Sequence, residues 1–251
     1  MSEGAIEHGI AAEDVAESDL VTSRGVFRAV AFRDPVDRYE HLALVLGEQR
    51  SDVLVRMHSE CLTGDVFGAL RCECGQQLDA AFDAIQREDS GIVVYLRGHE
   101  GRGIGLLAKL KTHALQDSAG LDTVDSATAL GLPIDVRDFG PAARVLGHLG
   151  VRSVRLLTNN REKVRALRAH GIRVTARVPL LVGENPHNVR YLTAKRDRLG
   201  HDLPHLRVPD AVAQGGEGAV GQPRQDGRQL VEQALAGDED VEGGVGEQLE
   251  G

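Results

Sequence analysis

The sequence predicts an α/β fold, a three-layer domain with a mixed β-sheet flanked by helices, between disordered acidic termini. Three observations predict it. Short aliphatic runs alternate with amphipathic helical stretches through residues 20–208. Gly and Pro fall between these stretches, where turns belong. Acidic, weakly apolar sequence then lies on both sides of the alternating region.

Each element has its own signal. "HLALVLG" (41–47) and "DVLVRMH" (52–58) read as neighbouring strands. "QQLDAAFDAIQRE" sets Leu78, Phe82 and Ile85 on one helical face. "GIVVYLR" is a short apolar run of the buried-strand type. A Gly-rich loop and the helical "LLAKLKTHALQ" follow it. "GPAARVLGHLG" has Pro in its first turn and Gly at its end, as a helix should. "VRSVRLLT" reads as a strand, "REKVRALRAHG" as a helix ending at Gly171, "IRVTARVPL" as a strand and "PHNVRYLTAKRDRLGH" as a last helix. No internal repeat is visible.

Val, Leu, Ile and Ala must build the core, because aromatics are scarce and Trp is absent. The net charge of −9 is unevenly spread. Residues 1–19 hold six acids and no bases; residues 209–251 hold ten acids and two bases. The 22 acids and 27 bases of residues 20–208 leave that middle basic, which suits a phosphorylated ligand. We therefore expect a flexible acidic N-terminus over 1–19, one catalytic domain over 20–208 and a disordered Gly-rich tail over 209–251. That tail has ten Gly in 43 residues and almost no bulky apolar side chains to offset its chain entropy. No basic stripe with interleaved aromatics argues for nucleic acid. No apolar run is long enough for a bilayer span, and the first residues lack a signal-peptide pattern. The expected setting is the reducing cytoplasm, with no membrane partner.

All three cysteines fall within fourteen positions, Cys61, Cys72 and Cys74. In that setting, close-set cysteines point to a metal or to catalysis rather than to a disulfide. Three thiolates without a fourth describe an open zinc site whose last position takes water. A structural zinc completed by His58 and three unrelated buried thiols are the alternatives. Arg56, His58 and Glu60 alternate, so an extended chain shows them on one face. "YLRGHEGRGIGLLAKL" runs from a strand through four glycines into a helix, with Arg97 and Arg102 in the loop. That arrangement suits an anion, though it fits neither standard phosphate-loop fingerprint. "DVRDFG" sets Asp135 two residues before Arg137, and "LLTNNREK" puts Thr158, Asn159, Asn160 and Lys163 at a strand-to-helix turn.

Together "RMHSECLTGDVFGALRCECGQQL", "YLRGHEGRGIGLLAKL", "DTVDSATALGLPIDVRDFG", "LLTNN" and "RVPLLVGENPHNVRYLTAKRDRLGH" resemble GTP cyclohydrolase II, the family that opens riboflavin biosynthesis. The resemblance spans roughly residues 20–201. It implies hydrolysis of GTP at C8 with loss of formate and pyrophosphate, giving 2,5-diamino-6-ribosylamino-4(3H)-pyrimidinone 5′-phosphate. It implies one Zn²⁺ per subunit on Cys61, Cys72 and Cys74, Mg²⁺ with the substrate phosphates, and a homodimer. It further implies GTP contacts from Arg56, Met57, His58, Ser59, Glu60, Gln77, Glu100, Gly101, Arg102, Thr123, Thr158 and Lys163. Asp135 matches the family's proton acceptor and Arg137 its nucleophile towards the α-phosphate. A guanidinium has no free lone pair, so stabilising phosphoryl charge is the simpler role for Arg137.

This sequence departs from the family at His113, where a tyrosine is usual. His113 is therefore a candidate catalytic residue. An imidazole there is expected to weaken the second hydrolytic step, so that product keeps its formyl group. "QDSAGLDT" is one residue longer than the usual spacing and "VDSA" lacks the usual Asn, both close to Thr123. A non-catalytic GTP-binding paralogue is the third reading, disfavoured because all three cysteines, Asp135 and Arg137 are present. The fused dihydroxybutanone-phosphate synthase domain common in this family is not expected, given about 19 residues ahead of the domain.

Overall fold

The computed structural model describes residues 9–49 and 51–206. Their centre is a seven-stranded mixed sheet. Its strands are β1 (Val15–Thr22), β2 (Gly25–Arg33), β3 (Glu40–Leu46), β4 (Val53–Ser59), β5 (Gly91–Leu96), β6 (Ser153–Leu157) and β7 (Arg173–Val178). Their order is β1-β2-β3-β5-β4-β6-β7. Pairings from β1 to β5 are antiparallel, and those among β5, β4, β6 and β7 are parallel. The helices are α1 (Leu62–Asp65), α2 (Cys74–Arg87), α3 (Leu106–Ala119), α4 (Thr123–Ala129), α5 (Gly140–His148), α6 (Arg161–Ala169) and α7 (Val189–Leu199).

The three predicted layers are present. On one face Val53, Val55, Met57, Ile92, Val94 and Leu96 pack against Ala142, Val145 and Leu146 of α5 and Leu167 of α6. On the other face Phe27, Leu44, Leu54 and Val93 pack against Ala81 and Ile85 of α2. The alternation of β4 therefore sends Val53, Val55 and Met57 to the α5 side, and Leu54, Arg56 and His58 to the α2 side. This places Met57, expected to touch GTP, in the core with no exposure.

Two further expectations are corrected. β3 and β4 are not neighbours, because β5 lies between them. The β4–α2–β5 crossover makes β5 parallel to β4. Residues 47–52 are long enough to pass one strand, a step of about 10 Å between β3 and β4. The sheet also begins at Val15, inside the stretch expected to be loose. β1 shows no apolar alternation because it is a sheet edge, exposed at Ala16–Val21. Its hairpin to β2 turns at Gly25, with a φ of 112° that favours glycine. Residues 1–8 and the expected disordered tail lie outside the described residues.

One buried ion pair ties the antiparallel part to the helical layer. Arg144 of α5 donates to both oxygens of Asp34 at 2.5 and 2.8 Å, and Asp34 is fully buried. The same carboxylate accepts from the turn N–H groups of Val36 and Asp37. Burial pushes the Asp34 carboxyl up, but Arg144 and those N–H groups outweigh it and hold it below its ordinary 3.8. Its contribution to stability is thus complete above the unfolded value and lost as pH falls through the lower folded one. Breaking such a pair from one side costs about 3–5 kcal/mol. Arg144→Met should lower the unfolding free energy by that order in urea titration at pH 7. The gap between wild type and variant should narrow below about pH 4.

Candidate active site

The cavity opens at the C-terminal ends of β4, β5 and β6, where parallel sheets usually take ligands. Three turns build it. Cys61 follows β4 and precedes α1, Cys72 and Cys74 sit at the start of α2, and the Gly loop follows β5.

The three cysteines are the one cluster among the described residues able to hold a metal. Their sulfurs lie within 4.8 Å of one another. Cys61 Sγ and Cys72 Sγ are 3.7 Å apart. Tetrahedral zinc with bonds of about 2.3 Å separates its sulfurs by about 3.8 Å, so the set fits zinc. A close backbone approach makes it possible. A Cβ on Gly64 would meet Cys72 Sγ at 2.8 Å and Cys61 Sγ at 3.2 Å. A Cβ on Gly75 would meet the Gly64 carbonyl oxygen at 2.6 Å. Hydrogen bonds from Cys72 and Cys74 hold the Cys61 thiol far below its ordinary value, while sharing with Cys61 pushes Cys72 up to about 11. Metal binding to all three thiolates therefore releases protons.

His58 does not complete the metal set. Its Nε2 lies 3.0 Å from both Asp65 oxygens, and its ring stacks on Tyr95. Asp65 also accepts from Tyr95 Oη at 2.8 Å and from the Cys61 N–H at 3.0 Å. The histidine–aspartate pair thus braces the Cys61 turn. Burial keeps this imidazole below its ordinary value, despite Asp65.

Lys109, in the first turn of α3, supplies positive charge at the sulfurs. Its Nζ donates to Cys61 Sγ at 3.3 Å, Thr63 Oγ1 at 2.8 Å and Glu100 Oε1 at 2.6 Å. Burial alone would lower this ammonium, but Glu100 and Cys61 raise it above its ordinary value. Glu100 also accepts from the Leu62 N–H at 2.7 Å, so the Gly loop grips the start of α1. Glu60 accepts from Gly98 N–H at 2.7 Å and grips the loop from its other end. Arg102 adopts φ 64° within that loop and donates to Thr123 Oγ1 at 3.0 Å.

On the far wall, Arg137 donates to Asp135 through Nε at 2.9 Å and Nη2 at 2.5 Å, and to Ser59 Oγ at 3.3 Å. Lys163 donates to the Met57 carbonyl at 2.7 Å. Burial, then Arg56 and Arg137, drive its ammonium well below the ordinary value. Burial also takes Arg56 down to about 10; it donates to Gln77 at 2.8 Å and to the Leu157 carbonyl at 3.2 Å.

Of the predicted residues, Arg56, His58, Ser59, Glu60, Gln77, Glu100, Gly101, Arg102, His113, Thr123, Arg137, Thr158 and Lys163 line this cavity with the cysteines. Met57 does not, and Asp135 reaches the cavity only through Arg137. Sequence reasoning missed Gly64, Asp65 and Lys109. Lys109 had a usable signal, since it lies four residues before His113 and so shares its helical face. Asp65 likewise follows Cys61 by four residues. Gly64 had none, because its role depends on Cys72, eight residues later.

The family model for GTP cyclohydrolase II matches residues 13–179. The chain belongs to the GTP cyclohydrolase II family. It is 56% identical over 200 residues to the riboflavin biosynthesis protein RibBA of Mycobacterium ulcerans, covering 77% of this chain and 47% of that protein. It is 56% identical over 201 residues to RibBA of Salinispora arenicola, covering 79% and 48%. The chain thus spans about half the length of the curated relatives it matches. Its GTP cyclohydrolase II domain has no helix, among the described residues, long and apolar enough to cross a membrane.

Gly64→Ala should leave the fold intact and lower zinc per chain severalfold. Metal analysis after gel filtration, with circular dichroism as the control for folding, checks it.

Proposed function

We propose that this chain hydrolyses GTP, opening the imidazole ring at C8 and releasing formate and pyrophosphate. The product is 2,5-diamino-6-ribosylamino-4(3H)-pyrimidinone 5′-phosphate, the first intermediate of riboflavin synthesis. One observation carries the reading. A cluster of three cysteines and two cations with no carboxylate hydrogen bond among the described residues, Lys163 and Arg102, line one cavity. The first suits ring hydrolysis, and the second suits a triphosphate.

Cys61, Cys72 and Cys74 would hold the zinc, which when bound supplies a water nucleophile near neutral pH. Lys109 offsets thiolate charge and Glu100 fixes Lys109. Lys163, Arg102 and Arg137 take the phosphates, which enter with Mg²⁺. Arg137 is held flat by two bonds to Asp135, and its guanidinium stabilises charge at the phosphoryl group in flight. Arg56, His58, Ser59, Glu60, Gln77, Thr123 and Thr158 shape the remaining wall.

His113 favours a second reading, in which the formyl group is retained. It lines the cavity one turn beyond Lys109. Burial, then Arg71 and Lys109, take its imidazole down to about 4, so it is neutral at pH 7 and offers no strong acid. It thus replaces the family's phenol with a neutral ring of shorter reach.

Incubation of the zinc-loaded chain with GTP and Mg²⁺ should release formate and pyrophosphate in equal amounts, with product read by mass. Pyrophosphate in excess, with a formamide product, would give the second reading, and His113→Tyr should then restore formate. Arg137→Ala should slow pyrophosphate release about 10²–10³-fold while leaving zinc content unchanged. A covalent phosphoryl-enzyme trapped at Arg137 would refute its electrostatic role.

A further inference from the structure

Residues 181–206 follow the family-matched stretch and carry α7. Their apolar side chains form a small cluster of their own, Leu192, Leu203 and Leu206 with Tyr191 against it, apart from the two clusters flanking the sheet. What joins this segment to the domain is largely polar, and it reaches three turns of the cavity. Lys195 Nζ pairs with Glu73, the residue between Cys72 and Cys74. Arg198 reaches Asp122 at 2.6 Å and Asp125 at 2.7 Å, on either side of Thr123. The Asp202 N–H donates to the Asn159 carbonyl at 2.9 Å, next to Thr158.

From this strap, Tyr191 enters the cavity wall. Two cations lie over its ring, the Arg102 guanidinium at 5.7 Å and Lys195 Nζ at 5.2 Å from the centroid. Arg102 sits in a left-handed backbone conformation, spends Nη1 on Thr123, and leaves Nη2 buried with no hydrogen-bond partner among the described residues. A buried donor without an acceptor is costly unless a ligand completes it. An aromatic face holds a guanidinium without using its N–H groups, which stay free for an anion.

We propose that Tyr191 is a positioning residue for GTP: its ring seats Arg102 so that the unpaired nitrogen meets a phosphate oxygen, and Lys195 and Arg198 clamp the helix that carries it. This rests on the GTP reading above. It extends the substrate site beyond residue 179, where the match to the family model ends.

The test uses the full zinc-loaded chain. Tyr191→Leu should raise KM for GTP about tenfold, as loss of a desolvated cation–π contact implies, with kcat changed far less. Tyr191→Phe keeps the ring face and should restore KM to within about twofold of wild type. In an Arg102→Ala background, Tyr191→Leu should add little, because its effect passes through Arg102. Zinc per chain should be the same throughout. Should the leucine variant not fold, Tyr191→Met is closer in volume and carries the same expectation. An unchanged KM for Tyr191→Leu, a phenylalanine variant as impaired as leucine, or an undiminished effect in the Arg102→Ala background overturns the proposal. A wild-type chain that turns over GTP while any of these holds leaves the GTP reading standing. A zinc-loaded wild-type chain that neither binds nor turns over GTP overturns both.

Discussion

Three sulfurs must come within bonding distance of one point, and the chain meets this constraint by bringing two backbones together. α1 and the start of α2 approach so closely that neither Gly64 nor Gly75 has room for a side chain. Around that contact the site is braced in layers. Asp65 holds the Cys61 turn through its N–H, and is itself held by His58 and Tyr95. Glu100 fixes the start of α1, so the Gly loop cannot shift without moving the cysteines.

Charge is balanced on the same scaffold. Several thiolates in a buried place repel one another, and Lys109 answers this directly at Cys61 Sγ. Lys195 does so at one remove, by pairing with the carboxylate between Cys72 and Cys74. On the opposite wall, Lys163 is buried and Arg102 half-buried, with carbonyl, hydroxyl or ring contacts and, among the described residues, no carboxylate hydrogen bond. Holding cations in this way is costly for an empty cavity and favourable for a polyanion. The cavity is thus divided into a cysteine end compensated by lysines and a cationic end suited to a polyanion.

Much of the fold was legible in the sequence. The strands and helices with strong apolar periodicity, β3 to β7 and α2, α3, α5, α6 and α7, sit where the sequence places them. Four elements escaped, namely the exposed edge strand β1, its hairpin partner β2, and the short α1 and α4. The edge strand and the single-turn α1 bury too little to leave a pattern, whereas β2 buries Phe27, Val30 and Phe32 towards opposite faces of the sheet. The alternation Arg56, His58, Glu60 was read correctly, and it also decides the fate of Met57. Odd and even positions of one strand cannot face the same side, so Met57 belongs to the core.

Local chemistry is written in the sequence. The cysteine spacing, the glycine loop and the Asp135–Arg137 pair each use residues close along the chain, and their types and separations name their chemistry. What joins them belongs to the tertiary structure. Contacts between Gly64 and Cys72, Cys61 and Lys109, Arg144 and Asp34, and Arg102 and Tyr191 all link different elements. Their partners are chosen by which strand ends and helix faces meet, and no spacing in the chain encodes that meeting. For this reason the cysteine cluster was evident from the chain alone. The contact of Lys109 with Cys61 and the seating of Arg102 on the ring of Tyr191 were not.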